Sequence, residues 1–433
     1  MNALARALVA EHFGVQDGEL AIGGIAASVL AAAHGTPLYV YDAGVLRRRL
    51  ALLRATLPAR VAVFYSVKAN PNPAVIRCLV REGAGCEIAS AAEHLRARAA
   101  GCAVERILFA GPGKQEAELT RVVQDGIGEV HVESLDEIAL LSSVAARLDR
   151  SIRIAIRLNP TAQARGGAMQ MGGQPSAFGI DEEQLAEAAA AIRAAPRLTL
   201  MGIHMFAATQ ILDARLLAEQ WRHAIGIAER LAALSEAPVR TVDLGGGLGV
   251  PYFPEEPALD LRLLSAAAAE LFSRLPPALA DARFVVEPGR FLAAPAGVYL
   301  ARVLRLKRSR GSNFVVLDGG MNHHLAASGN LGQVIKRDYP ILNASRLEAE
   351  TSLHAKVVGP LCTPLDALAR DAHLPETRPG DLVAVLQSGA YGLTASPVGF
   401  LSHPMPAEVL VDGGDVVCIR PRGTFGNPIV PLP

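Results

Sequence analysis

Cysteine is scarce in this chain, with five among 433 residues at Cys78, Cys86, Cys102, Cys362 and Cys418. An odd count without metal-ligand spacing excludes a disulfide framework and fits a reducing compartment, so a cytoplasmic protein is expected. Net charge is absent too, with 42 basic side chains against 42 acidic ones. No overall field exists to gather nucleic acid or an anionic membrane, and neither is expected as a partner. No apolar run reaches spanning length. The stretch Met1 to Gly14 lacks the basic start and small-residue cleavage site of a signal peptide. Internal repeats, low-complexity tracts and flexible linkers are also missing. What is present is 51% hydrophobic and 19% charged residues with 40 Gly and 28 Pro, the composition of a large core cut by many turns.

A helix-like opening to about His34 precedes a short strand at Pro37 to Asp42. From Val45, apolar runs rich in Val and Ile alternate with segments of 3.6-residue periodicity. The runs are Val61 to Val67, Cys86 to Ser90, Ile107 to Ala110, Val130 to Glu133, Ile152 to Leu158, Leu200 to Phe206, Val239 to Leu244 and Phe284 to Glu287. Leu135 to Leu148, Glu183 to Ala194 and Ala214 to Ser235 read as helices between them. Eight such units fit a (β/α)8 TIM barrel over residues 43–290. After Arg290 the runs Val298 to Leu306, Asn313 to Leu317, Ser352 to Val358, Asp381 to Gln387 and Val409 to Cys418 carry little helix. They predict a C-terminal antiparallel β domain, residues 291–433 with 1–42, closed by the strand near Tyr39.

In a parallel barrel, polar residues at the carboxyl ends of the strands share one mouth. Lys68 closes the first strand, in a setting read as buried, ahead of Asn70-Pro71-Asn72-Pro73. Glu87 and Ser90 lie on the second strand, His204 on the sixth, Gly245-Gly246-Gly247 after the seventh, and Glu287 with Arg290 after the eighth. A desolvated lysine forms Schiff bases, and bare glycine N–H groups approach a phosphate closely. A carboxylate beside a pyridine nitrogen keeps that nitrogen protonated. Together these groups describe a pyridoxal 5'-phosphate site. Each has a plainer structural explanation by itself, a lone histidine in an apolar strand above all. His323-His324 is not read as a metal site, because neighbours on a strand point apart. One of the pair is expected in the substrate pocket, and Gly166 to Pro175 reads as a loop able to act as a lid.

Five segments, in order, resemble the motifs of fold-type III pyridoxal-phosphate decarboxylases, the diaminopimelate and ornithine decarboxylase family. They are Tyr65 to Asn70, Asp243 to Gly249, Glu287 to Arg290, Gly359 to Cys362 and Gly389 to Tyr391. The resemblance implies an alanine-racemase-like barrel, a homodimer with active sites at the subunit interface, and α-decarboxylation of an amino acid. It implies that Lys68 holds the cofactor and His204 stacks on its ring, both in the catalytic set. It gives Gly245, Gly246, Gly247, Gly289, Arg290 and Tyr391 the phosphate, and Glu287 the pyridine nitrogen. It makes Cys362 a proton donor that reaches across from the partner subunit.

Three departures concern the substrate. Thr363 follows Cys362 where the family has an acid for a distal amine, leaving that amine unmatched unless Asp366 or another acid substitutes. Met321 to Asn330, containing His323 and His324, replaces the family's Arg-Pro stretch. His204 to Gln210 is longer than its counterpart and gives Thr209 the phosphate contact of the family's serine. These segments resemble a secondary-metabolism branch that decarboxylates conjugated substrates, such as a glutamyl group on an acyl carrier protein. Diaminopimelate decarboxylation yielding L-lysine is the alternative. A racemase or aldolase on the same barrel and a non-catalytic regulatory homologue remain open at this point.

Overall fold

The computed structural model describes residues 1–161, 169–170, 175–206, 208–235 and 237–424, with backbone only for 169–170. The chain divides into two compact units, residues 49–250 with 258–291, and residues 1–48 with 251–257 and 292–433.

In the first unit eight parallel strands close on themselves. They are Val61–Ser66, Gly85–Ile88, Ile107–Phe109, Glu129–Val132, Ile152–Asn159, Leu198–Met205, Thr241–Asp243 and Arg283–Val286. Each pairs with its neighbours in sequence, and the eighth returns to the first with Phe284 opposite Val61. The architecture is the (β/α)8 barrel expected. Runs such as Ile152–Asn159 are buried almost throughout because helices cover one face and the lumen the other. The helix Leu135–Leu148 starts where the Ser134 hydroxyl accepts the Glu137 N–H and stops at Asp149 in the left-handed region. It buries Ile138, Leu141, Val144 and Ala145, the three-and-four spacing of one helix face. Shortening such a side chain to alanine costs about 2–5 kcal/mol.

The second unit is built on the long strand Gly297–Ser309, which pairs antiparallel with Leu38–Asp42, Leu382–Val385 and Ser312–Leu317. The strand near Tyr39 therefore joins this sheet, as anticipated. Leu38, Val40, Val298, Leu300, Leu382, Ala384, Val409 and Val411 form its core with Leu8, Leu20, Ile22 and Leu30. The sheet is mixed, because Leu38–Asp42 runs parallel to Ala407–Asp412 and Ser312–Leu317 runs parallel to Thr351–Val358. Two strands, Ile341–Asn343 and Ala367–Pro375, escape the sequence reading. The run Val409 to Cys418 is a hairpin folded at Gly413 and Gly414, both at positive φ. The helical opening also resolves into more pieces, helices Ala3–His12 and Ala27–His34 around a three-stranded meander. Asp17 and Gly18, at φ 49° and 76°, make the two-residue hairpin turn that breaks the helix. The expected lid at 166–175 lies largely outside the described residues. Among the described residues no helix is long and apolar enough to cross a membrane.

Candidate active site

Alternation along a strand sends every second side chain into the barrel lumen. Contacts between non-adjacent strands identify that face. Thr241 of the seventh strand donates to Glu129 Oε1 of the fourth at 2.9 Å, Arg283 of the eighth reaches the same carboxylate, and His131 meets His204. Two residues beyond His131 and Thr241 and four beyond Arg283, at the carboxyl ends of the strands, come Glu133, Asp243 and Glu287, all buried.

Lys68 does not sit on its strand. Hydrogen bonding of the first strand stops at Ser66, and Val67–Ala69 form one 3-10 turn. The side chain thereby leaves the barrel wall and is 43% exposed, which corrects the expectation of a buried lysine. Its Nζ lies 3.3 Å from Oε1 of the buried Glu87, whose Oε2 accepts the Ser66 hydroxyl at 2.5 Å. The Glu287-Pro288-Gly289-Arg290 segment runs alongside this turn. Ser66 N–H donates to the Pro288 carbonyl at 3.3 Å, and a Cβ at Gly289 would stand 2.9 Å from that of Ala69. The Ser90 hydroxyl caps the helix Ala91–Ala99 by accepting the Glu93 N–H at 3.2 Å.

Gly245 has φ +69°, and a side chain there would collide with the Met205 carbonyl. Among the described residues the N–H groups of Gly246 and Gly247 meet no acceptor. The segment carrying Thr209 is stitched to this loop. Ile211 N–H donates to the Gly247 carbonyl at 2.8 Å and Val250 N–H to Gln210 Oε1 at 3.2 Å. Arg290 opens the short helix Arg290–Ala293 directly after Gly289.

The floor of the mouth is a buried set of imidazoles and carboxyls. His131 Nδ1 and His204 Nδ1 are 3.0 Å apart, and His204 Nε2 is 3.2 Å from Glu287 Oε2. Burial, with Arg157 nearby, pushes His204 down to about 3. Burial and His204 likewise depress His131, while burial and the neighbouring Glu287 raise Asp243. His131, His204, Asp243 and Glu287 are close enough together to suggest a metal centre. The nitrogen-to-nitrogen contact, however, engages one lone pair of the histidines in a shared proton rather than a cation. Beside this set, Glu133 pairs with Arg157, accepts the Gly111 N–H and accepts the Gly179 N–H at 3.1 Å. Lys114 donates to the Gly111 and His131 carbonyls, both at 2.8 Å, and to Glu137 at 2.6 Å.

In the second unit three residues expected at the substrate are buried and already have protein partners. Asp366 is buried, and its two oxygens accept the N–H groups of Met321 at 2.7 Å and Leu361 at 2.8 Å. It staples two loops. His323 and His324 are core residues, because both N–H groups fold back onto the Gly320 carbonyl in a tight turn. His324 bonds Ser388 at 2.9 Å among the rings of Tyr39, Tyr299 and Tyr339. Burial holds His323 near 4 and His324 near 3. Cys362 is exposed and Thr363 half-buried on the loop that Asp366 staples. Tyr391 sits at φ +53°, a strained value of the kind found at functional sites. His354, Asp371 and His373 cluster on the surface, yet the imidazole planes lie 15° apart with centroids separated by 4.7 Å. Their in-plane lone pairs do not converge on one ion.

The family model described as "Pyridoxal-dependent decarboxylase, pyridoxal binding domain" matches residues 43–294. The chain belongs to the pyridoxal-dependent decarboxylases. It is 38% identical to the L-glutamyl-[BtrI acyl-carrier protein] decarboxylase of Niallia circulans over 400 residues, 90% of this chain and 92% of the relative. It is 33% identical to the diaminopimelate decarboxylase of Aquifex aeolicus, covering 96% of each. The crystal structure of the Helicobacter pylori diaminopimelate decarboxylase complexed with L-lysine superimposes with TM-score 0.83 at 29% identity, covering 92% of this chain and 97% of that one.

The decarboxylase uses pyridoxal phosphate, and its mouth fits that cofactor on two independent counts. The bare N–H groups of Gly246 and Gly247 suit a phosphate, and Glu287 Oε1 is a buried acceptor that no donor among the described residues satisfies. Sequence reasoning missed His131, Glu133 and Arg157. Their signal was the same alternation, since each lies an even number of residues along its strand from a lumen-facing neighbour.

Proposed function

We propose that the chain is an α-decarboxylase of a conjugated amino acid, a glutamyl group tethered to an acyl carrier protein, in secondary metabolism. The observation that carries this reading lies behind Cys362. Diaminopimelate, lysine and ornithine present a distal ammonium that a buried site meets with a carboxylate. Thr363 is neutral, and both oxygens of Asp366 are already committed to backbone N–H groups. The 38% identity to a glutamyl-carrier-protein decarboxylase supports the same choice.

Bound pyridoxal phosphate supplies an aldehyde for amines and an electron sink for the charge left at the α-carbon when carbon dioxide departs. In this reading Lys68 would bind the aldehyde and Glu87 would steer its amine. Glu287 would serve the pyridine nitrogen, and His204 would support the ring. Gly245, Gly246, Gly247, Gly289, Thr209, Arg290 and Tyr391 hold the phosphate. Cys362, supplied by the second copy of a homodimer, returns one proton to the α-carbon.

Diaminopimelate decarboxylation is the second reading, favoured by relatives such as that of Aquifex aeolicus. Mass spectrometry after incubation with free diaminopimelate, lysine, ornithine and glutamate, and with glutamyl carrier protein, decides between them. Loss of one carboxyl group from the tethered substrate alone is the expected result. Rapid turnover of free diaminopimelate overturns the proposal.

A further inference from the structure

The contact between His131 and His204 carries an assignment that neither residue carries separately. Two imidazole nitrogens 3.0 Å apart in a dry site need one proton between them, because two lone pairs repel and two N–H groups clash. Both rings are buried, at 0% and 1% exposure, and their planes are tilted by 54° with centroids 4.8 Å apart. Burial keeps each neutral, so each ring has one N–H to place.

His204 has two candidate positions for its proton. Its Nε2 is 3.2 Å from Glu287 Oε2. With the proton on Nδ1, a bare Nε2 lone pair would face a carboxylate oxygen, acceptor against acceptor. With the proton on Nε2, an N–H edge rather than a lone pair lies 3.2 Å from the carboxylate oxygen, at an angle outside that of a hydrogen bond, and Nδ1 is left as an acceptor that His131 must satisfy from its own Nδ1. His131 Nε2 and His204 Nε2 are the two ring nitrogens of the pair without a hydrogen-bond partner among the described residues.

We infer that His131 is a positioning residue that holds His204 as its Nε2–H tautomer, in a fixed ring orientation, through the 3.0 Å contact between their Nδ1 atoms. Asp243 works from the other side. Burial and Glu287 raise its carboxyl. Lys68, Glu87, Lys114, Glu133 and Arg157 surround the pair and set its field. The tautomer assignment rests on protein geometry. Only its consequence, an acceptor prepared for the pyridine nitrogen, rests on the cofactor reading of Glu287 given above.

The test is long-range proton–nitrogen NMR of the cofactor-loaded protein labelled at its 11 histidines. Signals are assigned with His131→Asn and His131→Leu variants. The expected result is an Nε2–H pattern for His204 and an Nδ1–H pattern for His131. Asn retains an N–H donor, so His131→Asn keeps the His204 pattern. His131→Leu removes the donor, converts His204 to the other tautomer or a mixture, and weakens pyridoxal-phosphate retention on dialysis by about tenfold, the scale of one lost buried hydrogen bond. An Nδ1–H pattern for His204 in the unmodified protein overturns the inference without use of any variant. So does an unchanged His204 pattern in folded His131→Leu. Failure of the substrate proposal, by contrast, leaves these spectra as they are.

Discussion

Lys68 and Glu87 are bound to each other at the ends of adjacent barrel strands, amine to carboxylate at 3.3 Å, with the Ser66 hydroxyl on the other carboxylate oxygen. The carboxylate is buried and the amine half open, so the pair has one fixed member and one that can swing. A lysine that must exchange partners is suited by such an anchor.

Lys68→Ala is expected to abolish the visible absorbance of the covalently held cofactor and to lower decarboxylation by more than about a thousandfold, the scale of losing a covalent catalyst. Because the pair is partly exposed, its loss costs stability only about 1 kcal/mol or less. Absorbance spectra and thermal melts of the same preparation check both statements. A retained band removes Lys68 from its assigned role.

Glu133→Ala leaves Arg157 buried without its partner and frees the Gly111 and Gly179 N–H groups. Removal of one member of a buried ion pair costs about 3–5 kcal/mol. Urea unfolding should show that loss, and a cost below about 1 kcal/mol would show that solvent reaches the pair.

Asp366→Ala should destabilise the protein by about 1–3 kcal/mol through two orphaned N–H groups, while substrate KM stays within about twofold. Steady-state kinetics beside a thermal melt separates the two. A large rise in KM with unchanged stability would return Asp366 to the substrate pocket.

Acid should destabilise the protein from about pH 6.5 downward. Burial lowers His204 and His324 to about 3, His323 to about 4, and His131 further below its ordinary value. Between those values and about 6.5 the unfolded chain binds more protons than the folded one, so stability rises with pH and is lost on acidification. Each imidazole contributes on the order of 1 kcal/mol per pH unit in that window. Urea midpoints measured from pH 7.5 to 5 should fall steadily, and a flat profile would mean that these rings are protonated in the folded state.

Much of the barrel was readable because its strands are covered on both faces and therefore nearly uniform in polarity, while its helices keep a one-sided pattern. Leu135–Leu148 coincides with the expected helix because Ser134 and Asp149 punctuate it chemically. Ala367–Pro375 was not readable, since Arg370, Asp371 and His373 interrupt its apolar positions on an edge strand that solvent reaches. The Asp17-Gly18 turn was present as a signal and was outweighed by the apolar residues around it.

Residue order by itself determined the alternation of strand and helix, the lysine at the first strand's end and the glycine loop after the seventh, because those features depend on near neighbours in the chain. Only the folded molecule decided which histidines belong to the mouth. His131 and His204 meet across the lumen from non-adjacent strands, whereas His323 and His324 are enclosed by Tyr39, Ser388 and other distant side chains. Burial and partnership of that kind arise from packing between segments far apart in the chain, and no local pattern encodes them.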